Sequence, residues 1–268
     1  MDYNIINQAQ HKLEKVIKEV GLLIKNKFDH LTEINIKGDF GDVVTEADYL
    51  AEDILVKAIQ QNFPSHQIRS EELGMLGEES DWLWLIDPLD GTNNFVIGLP
   101  VIAVSVTLMY RRHAVLGIVY EPFTDRLYAS SINKGAYCNN KQITIKESTD
   151  LFKGTIGWIQ GHKVQNNPQA VKLKNYIDHK FKRMIRLWAP TIQWCMLAKG
   201  DIDGIILYNS EGEDLYSGLL MVKEAGGCVI DFNGHEFNGM VDEPYIIACH
   251  PQHKEQLLSI VKEGLNSE

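Results

Sequence analysis

A chain of 268 residues, 44% hydrophobic and 23% charged, is long enough for a sizeable core and is not low-complexity, which excludes a disordered or fibrous class. Its formal net charge of −10, from 36 acidic against 26 basic residues, argues against direct nucleic-acid binding, and an anionic substrate would need metal ions to offset the repulsion. Four scattered cysteines without a CxxC pair, an N-terminus (MDYNIINQAQHKLEK) without an apolar signal core, and a strongest apolar run, Val101 to Met109, too short for a bilayer point to a reduced cytoplasmic protein with no membrane segment.

Leu13, Val16, Ile17, Val20 and Ile24 recur at helical spacing and predict a first helix over about residues 5 to 28. Gly38, Gly41 and Asp42 mark a loop. A second helix is predicted from Thr45, with Ile54, Leu55, Ala58 and Ile59 on its buried side, and stops before Pro64. Strand patterns follow at Trp82 to Ile86, Val101 to Met109 and Ala114 to Tyr120, and Arg126 to Ser130 pairs with the last across the EPFTD turn. Farther on, strands at Thr155 to Ile159, Met184 to Leu187, Gly204 to Tyr208, Cys228 to Asp231 and Tyr245 to Cys249 alternate with helices over about 168 to 179, 191 to 199, 214 to 225 and 251 to 263. The expected class is α+β, with two sheets layered with helices and the chain divided into halves at 1–145 and 146–268. There is no internal repeat, and the interrupted rhythm argues against a regular barrel.

The stretch WLIDPLDGTNNF, residues 84 to 95, concentrates the chemistry. Asp87 and Asp90 flank Pro88 at the end of a predicted buried strand, where like charges repel unless a cation or a proton lies between them. Pro88 interrupts ordinary strand pairing, so the carboxylates can converge with the Leu89 carbonyl exposed between them, an oxygen set that magnesium or calcium prefers. The same DPLDG letters also suit a solvated turn. Gly91 permits close backbone approach, and Thr92 with Asn93 suits the cap of a helix opening at residues 93 to 95, whose free N–H groups would hold a phosphate. Upstream, Glu71 in SEELG reads alone as a surface glutamate, and Thr45 to Asp48 in DVVTEAD as a capping box. Asp214 in EGEDLYSG opens a helix that Gly226-Gly227 closes.

Taken together, these segments resemble the inositol monophosphatase superfamily. WLIDPLDGTNNF matches its apolar run followed by D-P-[IL]-D-G-T-x-N-F, and EDLYSGLLMVKEAGG is similar to its W-D-x-A-x-x-x-x-x-x-E-A-G-G motif. DVVTEAD and SEELG stand upstream in matching order, and the resemblance runs from about residue 10 to residue 250. It implies a layered α-β-α-β-α sandwich whose two halves make one catalytic unit, a homodimer, lithium sensitivity, and magnesium-dependent hydrolysis of small phosphate monoesters with two or three ions. By resemblance, Glu71, Asp87, Asp90 and Asp214 would be the side-chain ligands, with the Leu89 carbonyl completing one site. Gly91 and Thr92 would contact the phosphate beside Asp90 and Asp214. Asp48 would accept a hydrogen bond from Thr92, and that pair would position or activate the attacking water with help from Glu71.

The departures bear on substrate. Glu213 replaces the motif tryptophan, where it either tunes metal affinity or faces solvent, and Tyr216 replaces the alanine. Leu207 stands where members acting on inositol phosphate carry a glutamate, and WAPT (188 to 191) replaces a Gly-Ser or Gly-Thr loop. Trp188 and Pro190 would make a more apolar pocket open to other alcohols, nucleotides included, unless Trp188 is core. Inositol phosphates, fructose 1,6-bisphosphate, the 2′-phosphate of NADP and 2′-nucleotides, and 3′-phosphoadenosine 5′-phosphate all stay open as substrates. Two other classes compete. A non-catalytic calcium-holding protein is disfavoured because Thr92 and Asp48 are both kept. A nucleic-acid-associated regulator, as some bacterial relatives are reported to be, is disfavoured by the acidic balance as a direct RNA binder, though not as the partner of a basic protein.

Overall fold

In the computed structural model, which describes residues 2–28, 30, 34–37, 42–147 and 149–266, helix α1 (Tyr3–Lys27) occupies the first periodic stretch. Asp2 caps it by accepting from Asn4 N at 2.9 Å, Ile6, Leu13, Ile17, Val20 and Ile24 form its buried stripe, and Lys25 and Lys27 face the negative end of its dipole. Of the predicted loop residues, Gly38 and Gly41 lie outside the described residues. Asp42 opens strand β2 (Asp42–Thr45), which pairs antiparallel with β1 (Ile34–Lys37). Helix α2 (Glu46–Asn62) begins at the complete capping box, with Thr45 N donating to Asp48 Oδ2 at 2.8 Å. Its buried face is Ala47, Ala51, Leu55, Val56 and Ile59; Ile54 and Ala58 are only half-buried, so the face is rotated from the one the sequence suggested.

The larger sheet holds eight strands: β3 (Gln67–Ser70), β4 (Gly74–Leu76), β5 (Trp82–Asp90), β6 (Ala103–Tyr110), β7 (His113–Glu121), β8 (Arg126–Ser131), β9 (Gly135–Cys138) and β10 (Lys141–Ile143). Their order is β10-β9-β8-β7-β6-β5-β3-β4, antiparallel except where β3 meets β5. The smaller sheet contains β11 (Thr155–Gln160), β12 (Arg183–Ile185), β13 (Gly204–Tyr208), β14 (Cys228–Asp231) and β15 (Tyr245–Cys249) in the order β12-β11-β13-β15-β14. β12 ends two residues earlier than expected, which releases Arg186 and Leu187 from the sheet.

Three apolar cores separate the layers. Trp84 and Ile86 face α1 and α2, while Leu85 between them faces the opposite side of the sheet. There it meets the helices between the sheets, α5 (Pro190–Lys199) and α6 (Leu215–Glu224), and Ile205 and Leu207 of the second sheet. Ile206 and Tyr208 point outward to α4 (Pro168–Lys180) and α7 (Lys254–Asn266). Both sheets are therefore covered on both faces, which is why their central strands read as continuous apolar runs. The stack is α-β-α-β-α, as expected. Helices α5 and α6 touch through Gly218, where a Cβ would stand 2.2 Å from the Trp194 ring. Among the described residues no helix is long and apolar enough to cross a membrane.

Candidate active site

Strand β5 does not stop at Pro88 but runs on to Asp90, and its register against β6 shifts on the way: Asp87 faces Ser105 and Asp90 faces Ala103. Three steps on β5 oppose two on β6, which defines a bulge. In a regular strand, residues three apart point to opposite faces; the inserted residue restores Asp87 and Asp90 to one cavity. Asp87 Oδ1 accepts from Leu89 N at 3.1 Å across the proline. Gly91, at φ +94, is the N-cap of helix α3 (Thr92–Val96), so Thr92 is the first helical residue rather than the cap. A Cβ on Gly91 would lie 2.8 Å from Val101 O, which restricts the position to glycine.

The cavity measures about 310 Å³, and Glu71, Asp87, Leu89, Asp90, Gly91, Thr92 and Asp214 all line it. Asp48 lies behind that wall, fully buried. Thr92 Oγ1 is 3.0 Å from Asp48 Oδ1 and 2.9 Å from Leu89 O, so its one proton serves either acceptor. Asp48 Oδ2 also accepts from Thr45 Oγ1 at 2.6 Å, which ties the helix cap directly to the site. Asp90 Oδ2 accepts from Thr191 N in the first turn of α5 at 2.8 Å. Asp214 is the N-cap residue of α6, yet its side chain makes no capping bond.

These carboxylates are held against their own charge. Burial, then repulsion from Glu71, Asp90 and Asp214, pushes Asp87 well above the usual carboxylate range. Burial raises Asp90 to about 7 despite the hydrogen bonds from Thr191. Asp214 is raised by desolvation and then by Asp90 and Glu213. Asp48 rises through burial, opposed by its bonds from Thr45 and Thr92. None of Asp87, Asp90 and Asp214 is ion-paired among the described residues, whereas Glu71 is: Lys37 Nζ, from β1, lies 2.6 Å from its Oε1 and also bridges to Glu72. As placed, no three His, Cys, Asp or Glu side chains among the described residues form a cation-binding group. The donor chemistry nevertheless fits a hard divalent cation: three desolvated carboxylates lack a positive partner among the described residues, and the fourth has taken an ammonium as its counter-ion.

The facing wall is different in kind. Arg186 and Trp188 follow the early end of β12, with the guanidinium 3.9 Å above the indole ring and His162 5.2 Å from the same ring. Trp188 adopts φ +55, a conformation a bulky residue keeps only where its surroundings enforce it. Arg186 has no carboxylate partner among the described residues, its Nη2 is buried without a hydrogen bond, and burial lowers its pKa.

The model of the inositol monophosphatase family matches residues 7–265. The chain belongs to that family. It is therefore a phosphomonoesterase-type hydrolase, of a family that is generally metal-dependent. A protein of Aquifex aeolicus named fructose-1,6-bisphosphatase/inositol-1-monophosphatase is 32% identical over 246 residues, 91% of either chain. A Nus factor SuhB of Pasteurella multocida is 31% identical over 231 residues, 85% of each. Among solved structures, the extragenic suppressor protein SuhB of Bartonella henselae superposes with a TM-score of 0.88 at 26% identity, covering 96% of this chain and 99% of that one.

Against the family motifs, the departures now have positions. Glu213 neither faces solvent freely nor stands alone: Arg69 Nε is 2.8 Å from its Oε1, and Arg69 Nη2 donates to Glu211 Oε1 at 2.7 Å. Tyr216 is core, and its hydroxyl accepts from Val241 N at 3.2 Å. Leu207 is buried between the sheets and does not line the cavity; Ser210 to Glu213, just beyond β13, do. Trp188 lines the cavity and is not core.

Sequence reasoning missed Lys37, Glu52, Arg69, Arg186 and Thr191. Glu52 is buried one turn after Asp48; it accepts from the Ser70 hydroxyl, from Glu72 N at 3.1 Å and from Leu73 N at 3.0 Å, and so fixes the turn that carries Glu71. An acid at i+4 on the buried face of α2 was its available signal. Arg186 is brought in by a loop, and Lys37, Arg69 and Thr191 by elements distant in sequence from the acids they meet, so none left a local signal.

Proposed function

We propose that this chain hydrolyses small phosphate monoesters with magnesium held by Glu71, Asp87, Asp90, Asp214 and the Leu89 carbonyl. The observation that carries the reading is a set of desolvated aspartates without counter-ions around the Thr92–Asp48 hydrogen bond. Bound magnesium would neutralise phosphoryl oxygens, acidify a water and steady the departing alkoxide. The chain's own groups do the rest. Gly91 and Thr92 receive the phosphate at the start of α3. Asp48, locked by Thr45, orients the Thr92 hydroxyl, so the pair positions the attacking water with Glu71 alongside. Asp87 and Asp90 come from the first half of the chain and Asp214 from the second, which supports reading 1–145 and 146–268 as one catalytic unit. By family likeness we place the enzyme in the cytoplasm as a lithium-sensitive homodimer.

For substrate, the Arg186–Trp188 wall favours breadth over a dedicated inositol site. The uncompensated guanidinium further favours esters with a second anionic group, such as fructose 1,6-bisphosphate or NADP. The deciding assay is phosphate release from inositol 1-phosphate, NADP, 2′-AMP, fructose 1,6-bisphosphate and 3′-phosphoadenosine 5′-phosphate, with magnesium or a chelator. Release that requires magnesium establishes the reaction, and the ranking identifies the substrate. A folded, magnesium-loaded chain that releases phosphate from none of them refutes the proposal.

A further inference from the structure

Far from the cavity, two thiols face each other across strands. Cys228 opens β14, the outermost strand of the smaller sheet, and its Cα partner on antiparallel β15 is Cys249; the two Sγ atoms are 3.7 Å apart. Directly paired antiparallel residues have Cα atoms about 4.5–5.5 Å apart, inside the window of about 4.4–6.8 Å that a disulfide requires. Closing the sulfurs to about 2.05 Å thus asks for side-chain rotation and leaves the backbone where it is. All four cysteines are free, and the other two, Cys138 and Cys195, lie in the core between the sheets rather than with this pair.

We infer that Cys228 and Cys249 form a reversible oxidation site, a dithiol that hydrogen peroxide or a small-molecule disulfide converts into an intrachain cross-strand bridge. Cys228 is the attacking sulfur. It is partly exposed, while Cys249 is fully buried against the outer helices. The hydrogen bond with Cys249 draws the Cys228 thiol down to about 7 against the effect of burial, with Lys254 adding positive charge, whereas Cys249 is raised. With peroxide, the Cys228 thiolate takes one oxygen, the O–O bond breaks and hydroxide leaves. Cys249 sulfur then displaces that oxygen from the sulfenic acid, forming S–S, and its proton leaves with the oxygen in water. Two thiols and one peroxide yield one disulfide and two waters, and a thiol reductant reverses the product.

The bridge fastens the edge strand to its neighbour and closes a loop of about twenty residues, so oxidation should raise the melting temperature by several degrees. It leaves the candidate active site alone: α6 separates Asp214 from β14, and its ten residues span roughly 15 Å. The test needs no substrate. The reduced chain is treated with peroxide or oxidised glutathione, denatured, alkylated with N-ethylmaleimide, weighed and mapped by peptide mass. Expected are two alkylated thiols in place of four, a linked peptide joining Cys228 to Cys249, and its return to free thiols in dithiothreitol. Cys228→Ser should abolish the link and leave Cys249 alkylatable. Four alkylated thiols after oxidation, sulfinic acid on Cys228 without a link, or a bridge to Cys138, Cys195 or another chain would each overturn the inference. A phosphatase activity that falls in step with bridge formation would overturn the separation of the two sites.

Discussion

The two walls of the cavity are built by opposite means. On one side, a bulged strand end, a glycine at positive φ and a capping box lock Asp48, Asp87, Asp90 and Thr92 into a hydrogen-bonded frame. On the other, Arg186, Trp188 and the residues from Ser210 to Glu213 sit on loops, held by a cation–π stack and by ion pairs from Arg69. The first wall carries unrelieved negative charge and the second an unrelieved positive one. The acids suit a reaction common to many substrates, and the loop wall suits the choice among them.

Asp90→Asn should separate stability from activity most sharply. Asparagine keeps an acceptor for Thr191 N but removes a charge held at a pKa near 7. Phosphate release should fall by about a thousandfold or more, while the metal-free variant melts higher than wild type at pH 8. A loss of both would mean that Asp90 supports the fold rather than the chemistry. The same charge sets a pH dependence. Because the folded-state pKa of Asp90 lies above its unfolded value of 3.8, the folded chain binds the extra proton between about pH 4 and 7. Metal-free stability should therefore decline as pH rises through that window, by on the order of 4 kcal/mol from Asp90 alone, and magnesium should restore it above pH 7. Denaturant titrations at pH 5 and pH 8, with and without magnesium, measure the effect; a flat profile would show that the carboxylates are already neutralised within the chain.

Next in size is the Thr92–Asp48 pair. Thr92→Val keeps the shape and loses the hydroxyl, and should lower kcat by about a hundredfold, with Thr92→Ser recovering most of it. Equal losses in both variants would place the effect in helix packing. On the loop wall the expected changes are smaller and selective. Arg186→Gln should raise KM about tenfold for substrates with a second phosphate and leave those with a single phosphate within about twofold. A uniform loss would remove Arg186 from substrate choice.

The same contrast explains what could be read in advance. The long helix α1, the central strands and the paired aspartates were legible because periodicity and the DPLDGT letters are local signals. Short strands such as β4 and β10, three residues each, have too little alternation to announce themselves. The bulge that aligns Asp87 with Asp90 depends on the partner strand, so Pro88 suggested an end where the chain continues. Arg186 joins the cavity only because β12 stops early, and Glu213 reads as a stray charge until Arg69, well over a hundred residues away in sequence, is seen beside it.

Lys37 lines the cavity beside Glu71 and gives the finest test. Its ammonium is pushed above its ordinary range by Glu71 and Glu72, against the opposing effect of burial, and it occupies the one acid of the set that has a counter-ion. If it competes with magnesium for Glu71, Lys37→Gln should lower the half-saturating magnesium concentration about two- to threefold, the size expected of a partly exposed ion pair. If instead it helps hold the phosphate, the same variant should leave magnesium saturation unchanged and raise KM. Magnesium titrations of phosphate release at fixed and at saturating substrate separate the two, because a competitor for the carboxylate shifts only the metal curve, whereas a phosphate contact shifts only the substrate curve.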